Sequence, residues 1–256
     1  MAPTDMTTET GPASARPYRA GPWPAATDLR TSPFGPFAIE DDDPDSEDTL
    51  ELHLPAEFLA LRAGTTTDLL DRLATWGPVA TPAGSFRLVP VHIDHDLPLV
   101  HRWMNDPAVA AFWELAGPPR RTEEHLRAQL NGDGCCVPCL GVLDGTPMSY
   151  WEIYRADLDP LARGYPARPH DTGVHLLIGD AADRGRGLGS ALLRAVADLI
   201  LDRRPACPRV VAEPDLRNTP SIAAFLSAGF RFAAEIDLPG KRAALMIRDR
   251  VLRDAL

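Results

Sequence analysis

The chain has 256 residues, is 45% hydrophobic, and carries a net charge of −10 with a pI near 5.1. This length suits one sizeable domain with extensions, and the acidity argues against nucleic acid or an anionic membrane bound through bulk charge. The sequence shows neither an apolar run of about 20 residues nor a basic N-terminus followed by an apolar core. We therefore expect a cytoplasmic protein.

Residues 1–48 differ in composition from the rest of the chain. They are rich in Pro, Ala, Thr and Gly and end in an acidic run that begins at Glu40. Such a segment buries too little apolar surface to offset its ordering entropy, so we expect a disordered extension. Residues 49–84 contain the alternating stretch DTLELHLP and a helix-like stretch, and are expected to add a strand and a helix to the main domain.

From Ser85 the pattern becomes regular, which predicts one domain over residues 85–256. SFRLVPV predicts a strand, three helical stretches follow, and Asp144-Gly145 marks a hairpin turn between two strands. The apolar strand TGVHLLIG, a long amphipathic helix, the strand PRVVAEP, the helix TPSIAAFLSAGF and a closing hairpin complete the order β-α-α-α-β-β-β-α-β-α-β-β. This order predicts an α/β fold with a mixed central sheet flanked by helices.

The cysteines favour a packing role. Cys135, Cys136 and Cys139 lie together in GCCVPCLGV, and no second ligand pair has a spacing suited to zinc. Free cysteine packs like a small hydrophobic residue, so the run is interpreted as a buried strand. We expect no metal and a reducing compartment.

A glycine-rich turn connects the strand HLLIG to the helix LGSALL. Gly185, Gly187 and Gly189 would let the backbone approach a ligand, and the following helix N-terminus would offer N–H groups to a phosphate. The spacing matches neither the Rossmann fingerprint nor a Walker A loop. A purely structural turn between strand and helix remains an alternative.

The motif Arg184-x-x-Gly187-x-Gly189, followed downstream by Asn218 and TPSIAAFLSAGF, resembles the GNAT acyltransferase superfamily. The resemblance covers residues 85–250 and implies a GNAT fold with an acyl-CoA co-substrate, most simply acetyl-CoA. It implies that the pyrophosphate lies on the turn and that Asn218 contacts the pantetheine. The residues implied in coenzyme binding are Leu177, Ile178, Arg184, Gly185, Arg186, Gly187, Leu188, Gly189, Asn218 and Phe225.

Within that superfamily, WMNDPAVAAFW, YWEIYR, HDTGVHLLIG and AEPDLRNTPSIAAF are similar to the siderophore-biosynthesis acyltransferases of the aerobactin and mycobactin type. Those enzymes acylate the side-chain nitrogen of lysine, ornithine or a related diamine, usually after N-hydroxylation. The resemblance implies two catalytic residues, His175 and Asp215, with Asp215 orienting His175, accepting a proton or anchoring a cation. Phe225 takes the place of a Tyr acid that many GNAT enzymes have, so another group must protonate the leaving thiolate.

Aromatic and charged side chains near these strands are expected to line the acceptor pocket: Trp113, Trp151, Glu152, Tyr154, Arg155 and His170. Glu152 would pair with an ammonium group and Arg155 with a carboxylate. Core packing is the alternative for each aromatic residue.

Three other functions stay open: an aminoglycoside 6'-N-acetyltransferase, a protein N-terminal acetyltransferase, and a coenzyme A-binding module without catalysis. His175 and its strand argue against the first of these. The predicted partner is a small amine or hydroxylamine, and the protein is expected to be a monomer or a weak dimer.

Overall fold

The computed structural model describes residues 70–132 and 134–255, so the predictions for residues 1–69 lie outside the described residues. Eight strands form one mixed sheet with the order β1-β2-β3-β4-β5-β6-β8-β7. All neighbouring strands are antiparallel except β5 and β6, which are parallel. The strands are β1 Val79–Thr81, β2 Gly84–Pro90, β3 Cys136–Leu143, β4 Thr146–Arg155, β5 Thr172–Ile178, β6 Arg209–Ala212, β7 Arg231–Leu238 and β8 Lys241–Asp249.

Five α-helices lie within the described residues: α1 Ile93–Met104, α2 Pro107–Trp113, α3 Pro119–Leu130, α4 Leu188–Arg203 and α5 Thr219–Ser227. Short 3-10 helices occupy Leu70–Thr75, Pro160–Arg163, Ala181–Asp183 and Arg250–Ala255. From β2 onward, the order of strands and α-helices is the predicted one. The predicted mixed α/β sheet flanked by helices is therefore confirmed.

Local sequence signals set several of these boundaries. Asp106 caps α2 by accepting a hydrogen bond from the Ala108 N–H at 2.9 Å, and Asn218 caps α5 in the same way through Ser221. The β3–β4 turn has positive φ at both Asp144 and Gly145, as a two-residue hairpin turn of type I′ requires.

Three apolar clusters pack against the sheet within the described residues. The largest, the main core, packs α4 and α5 against the sheet and includes Trp151, Leu192 and Phe225. Leu73 and Trp76 belong to this cluster, so the described part of the predicted 49–84 layer packs into the same core. The hairpin of β1 with β2 was not predicted, because the three-residue strand β1 is too short to show a pattern.

The run GCCVPCLGV forms most of β3, and Cys139 is fully buried there, as predicted. Within the described residues, no helix has the length and apolar character to span a membrane.

Strands β5 and β6 separate soon after they begin to pair. The parallel register has only two residue pairs, Thr172 with Val210 and Gly173 with Val211, although β5 continues to Ile178. Beyond Gly173 the sheet therefore opens between β5 and β6. This opening lies beside the strand that carries His175.

Candidate active site

The register of β4 and β5 decides which side chains meet at the opening. Glu152 lies opposite His175, whereas Trp151 lies opposite Leu176. Because successive side chains of a strand point to opposite faces, Glu152 and Tyr154 share a face with His175. Trp151 points to the other face, into the main core.

His175 is held between two carboxylates. Its Nδ1 lies 2.8 Å from Glu152 Oε2, and its Nε2 lies 2.5 Å from Glu213 Oε1. Glu213 follows β6 by one residue, so this contact bridges the two separating strands. The ring of Tyr154 packs on the imidazole with 4.8 Å between centroids, and Trp113 meets it edge-on at 6.0 Å.

The first carboxylate, Glu152, is buried and accepts hydrogen bonds at its second oxygen as well. Oε1 lies 2.7 Å from His125 Nε2 and accepts from Gln129 Nε2 at 2.7 Å. The Tyr150 hydroxyl donates to the same oxygen at 3.0 Å. His125 and Gln129 are four residues apart on α3, so one helix face fixes the carboxylate.

The second carboxylate, Glu213, is also buried and has two further partners. The Tyr154 hydroxyl donates to Oε2 at 2.7 Å. Lys241 Nζ lies 3.6 Å from Oε1 and donates to the main-chain oxygen of Glu213 at 2.8 Å. Glu213 therefore joins β4, β5 and β8 at one point.

These contacts set the charge of the cluster. Burial alone would lower the pKa of His175, but the charge of Glu213 and the hydrogen bonds of both carboxylates raise it to about 10. Burial likewise opposes ionisation of Glu152 and Glu213, yet their histidine partners hold both carboxyl pKa values below the usual range. At neutral pH the site contains an imidazolium that donates to two carboxylates.

The glycine-rich turn has the backbone of an anion site. Gly185 and Gly187 have φ values of 70° and 79°, and a Cβ atom at either position would point into open space. Ala191 N–H is the first main-chain amide of α4 to find a main-chain acceptor, the Gly187 oxygen, within the described residues. The amides before it point out of the helix end, where an anion is favoured.

The predicted coenzyme-binding residues take different roles. Arg184 folds back onto the chain: its guanidinium donates to the main-chain oxygens of Ile178 and Gly179 and to Asp106 Oδ1. Arg184 therefore shapes the turn. Arg186 is exposed and forms a long ion pair of 3.7 Å with Asp183. The Leu177 and Leu188 side chains pack into apolar clusters. The Leu177 main chain faces Tyr150 of β4, whereas the Leu188 N–H lies at the open end of α4. Gly189 lies where α4 approaches α5, and a Cβ atom there would be 4.0 Å from the Cβ atom of Ala224.

Three predicted side-chain roles need correction. Trp151 is fully buried and donates its indole N–H to Ser149, because it lies on the core face of β4. Arg155, on that same face, is buried and gives two hydrogen bonds to Asp157, so it is not available to a substrate carboxylate. Phe225 packs edge-on against Phe230 within the main core and is a core residue.

Asp215 does not orient His175. Both of its oxygens accept hydrogen bonds from Arg217, and the residue forms a bridge with Ala243 of β8. Glu213, two residues earlier in the same AEPD stretch, makes the contact with His175 that was predicted for Asp215. His170 precedes β5 with φ of 67°, and its N–H donates to Asp157.

Sequence reasoning missed five side chains of this cluster: His125, Gln129, Tyr150, Glu213 and Lys241. For Glu213 a signal was present, since it is an acid one residue beyond a strand that adjoins His175. The other four come from α3, β4 and β8, and only the packing of these elements brings them to the two carboxylates.

The sequence model for the acetyltransferase (GNAT) domain matches residues 92–238, more than half of the chain. The chain belongs to the GNAT acetyltransferase family. One curated relative in this family, lysine N-acyltransferase MbtK of Mycobacterium sp. (strain MCS), is 36% identical over 178 residues, which are 70% of this chain and 72% of the relative. N(6)-hydroxylysine O-acetyltransferase of Escherichia coli is 37% identical over 149 residues, 58% of this chain and 47% of that protein.

Solved structures agree with the GNAT fold. An uncharacterized protein from Bacillus halodurans has a TM-score of 0.65 and 34% identity, and the match covers 70% of this chain and 94% of that one. AAC(6')-Ib, solved with an aminoglycoside and acetyl-CoA, has a TM-score of 0.57 and 25% identity, with 66% and 94% covered. The predicted GNAT fold class is thereby confirmed.

Proposed function

We propose that this chain is an acyl-CoA-dependent N-acyltransferase acting on the side-chain nitrogen of an N-hydroxylated diamine or amino acid, such as N-hydroxylysine. Hydroxamate siderophore assembly is the process that such a product serves. The observation that carries the proposal is the Glu152–His175–Glu213 cluster, placed at the opening between β5 and β6. The names of the relatives support a lysine-type or hydroxylysine-type acceptor.

The opening between β5 and β6 suits the pantetheine arm and the thioester. Gly179 N–H donates to Met148 on β4, and main-chain direction alternates along a strand. The amides of Leu176 and Ile178 therefore point away from β4, into the opening. In the proposed reaction the coenzyme phosphates bind at residues 184–189, and these amides stabilise the oxyanion of the tetrahedral intermediate.

The acceptor would approach His175 between two aromatic rings. Trp113 and Tyr154 flank the imidazole, and both remain proposed acceptor-binding residues. A hydroxylamine nitrogen is less basic than an amine and arrives neutral, so no strong base is needed before the attack. After attack the nitrogen is positively charged, and Glu213 then accepts its proton while the imidazolium fixes the position of that carboxylate.

Direct transfer is the preferred course. On β3, Cys136 lies opposite Tyr154, whereas Cys139 lies opposite Trp151 on the core face, and burial raises the pKa of both thiols. A protonated thiol is a poor nucleophile, so an acyl-cysteine intermediate is not part of the proposal.

Thiol release from acetyl-, succinyl- and longer acyl-CoA, across a panel of amines, tests the function. The panel contains lysine, ornithine and cadaverine, their N-hydroxy forms, and kanamycin. Turnover confined to an N-hydroxy amine is the expected result. Turnover with kanamycin alone would replace the proposal by aminoglycoside acetylation, and silence across the panel would contradict a small-molecule acceptor.

A further inference from the structure

Lys241 is the only lysine in the 256-residue sequence. The other 25 of its 26 Lys and Arg residues are arginines. This one ammonium group lies at the candidate active site, at the first residue of β8. It donates to the Glu213 main-chain oxygen at 2.8 Å and lies 3.6 Å from Glu213 Oε1. The Lys241 side chain is 33% exposed, so it contacts both Glu213 and solvent.

Main-chain direction places this ammonium in the opening between β5 and β6. Pro214 accepts a hydrogen bond from Ala244 of β8, and Leu216 donates to Arg242. Pro214 and Leu216 thus turn their main-chain groups toward β8. Because the main-chain N–H and C=O groups of successive residues in an extended chain point to opposite sides, the Glu213 carbonyl points toward β5. Lys241 donates to that carbonyl at a point where β6 no longer pairs with β5. The Lys241 Nζ therefore lies in the opening, where the thioester is proposed to bind.

The proposed reaction needs a proton donor at this place. Acyl transfer breaks the C–S bond, and the coenzyme thiolate must be protonated or stabilised as it leaves. Phe225 has no hydroxyl and is buried. Burial raises the pKa of the Tyr150 and Tyr154 phenols, which makes them poor acids, and both hydroxyls already donate to carboxylates.

We propose that Lys241 protonates the leaving thiolate and regains its proton from the acceptor nitrogen through Glu213. The inference rests on the proposed acyl-CoA function. The acceptor nitrogen forms a bond to the acyl carbon, the C–S bond breaks, and Nζ gives one proton to sulfur. Glu213 takes the proton that the acceptor nitrogen loses and passes it to the neutral Nζ. One N–H is converted to one S–H, and the enzyme returns to its starting state.

The choice of lysine fits this role better than a purely electrostatic one. An ammonium group can lose a proton within a protein, whereas a guanidinium keeps its proton throughout the ordinary pH range. A site that needed only a fixed positive charge would function with arginine, the residue that this chain uses elsewhere. The two roles therefore separate in a Lys241→Arg variant.

The first experiment compares kcat and the Kd for acyl-CoA in Lys241→Met, Lys241→Arg and wild type. Arg242→Met is the matched control, because Arg242 is the next residue, is exposed, and pairs with Glu235 outside the opening. We expect both Lys241 variants to lose about 100-fold in kcat while Kd and the melting temperature stay close to wild type. A Lys241→Arg or Lys241→Met enzyme with nearly unchanged kcat would overturn the inference.

The second experiment is chemical rescue of Lys241→Ala. Trimethylammonium can donate a proton and cannot form an amide, whereas tetramethylammonium has a similar size and charge but no proton to give. We expect the first ion to raise kcat with its concentration and the second to leave it unchanged. Equal effects of the two ions, including no effect of either, would overturn the proton transfer.

These results are distinguishable from failure of the proposed function. Wild-type protein that releases no thiol with any acceptor contradicts the function itself. Wild-type turnover with an N-hydroxy amine, combined with an unaffected Lys241→Met variant, leaves the function in place and removes only the role of Lys241.

Discussion

The carboxylate that contacts the Nε2 atom of His175 belongs to Glu213, whose Oε1 lies 2.5 Å away. Asp215, two residues later, instead turns both oxygens to Arg217. The two acids lie in one short stretch, yet only the first reaches the cluster. The variants Glu213→Gln and Asp215→Asn, which replace each acid by its neutral amide, therefore form a matched pair for testing which acid is catalytic.

Glu213→Gln is expected to lower kcat by about 100-fold or more, because it removes the proposed proton acceptor and a partner of the imidazolium. Asp215→Asn is expected to change kcat by only a few-fold, since its contacts stabilise a turn. Steady-state thiol release gives both values, and acyl-CoA affinity by calorimetry should stay near wild type. A larger loss in Asp215→Asn than in Glu213→Gln would return the catalytic role to Asp215.

The raised pKa of His175 predicts a pH dependence of stability. In the unfolded chain a histidine titrates near pH 6.5, whereas in the folded protein the pKa is about 10. The stability gained from the imidazolium is therefore complete below about pH 6.5 and is lost as pH rises through the folded value. NMR of the His175 ring should show both nitrogens protonated at neutral pH, and Glu213→Gln should move the titration to lower pH. A wild-type ring that is neutral at pH 7 would contradict this charge assignment.

The sequence predicted most of the strands and helices because the signals for each are local. Alternation, helical periodicity and the turn residues Asp144 and Gly145 reproduce the element order from β2 onward. The failures concern long-range partners: Trp151 and Arg155 have the right residue types for a pocket, but the β4 register turns both away from it. His125 and Lys241 reach the cluster through packing that no local pattern encodes.

Gly187→Val is expected to abolish measurable acyl-CoA binding. A branched side chain disfavours the positive φ of 79° at this position and blocks the approach of the pyrophosphate to the helix end. Calorimetric titration with acyl-CoA measures the effect, and Gly77→Ala provides a control because nothing lies within 4 Å of its Cβ position. Unchanged affinity in Gly187→Val would place the phosphates elsewhere.

Arg184→Ala and Arg186→Ala separate the two arginines of the turn. Arg184 ties the turn to Ile178 and Asp106, so its loss should weaken acyl-CoA binding by about tenfold through disorder of the anion site. Arg186 is exposed, and its loss should change affinity by about threefold at most and only at low salt. The Kd for acyl-CoA, measured at low and high salt, distinguishes the two variants. High salt screens the exposed charge of Arg186 and removes its effect, whereas the effect of losing the Arg184 hydrogen bonds persists. The reverse order would make Arg186 the main phosphate contact.

Gly173→Ala tests the support beneath the cluster. A Cβ atom at Gly173 would lie 2.0 Å from the Tyr154 ring, and Tyr154 both packs on His175 and donates to Glu213. The ring must move to make room, which should cost about 1–3 kcal/mol of unfolding free energy and lower kcat as well. Urea unfolding and thiol release measure the two effects, with Tyr154→Phe as the variant that keeps the ring and loses only the hydroxyl. If Gly173→Ala were as stable and active as wild type, the close packing of Tyr154 on Gly173 would not be needed to hold the His175–Glu213 pair.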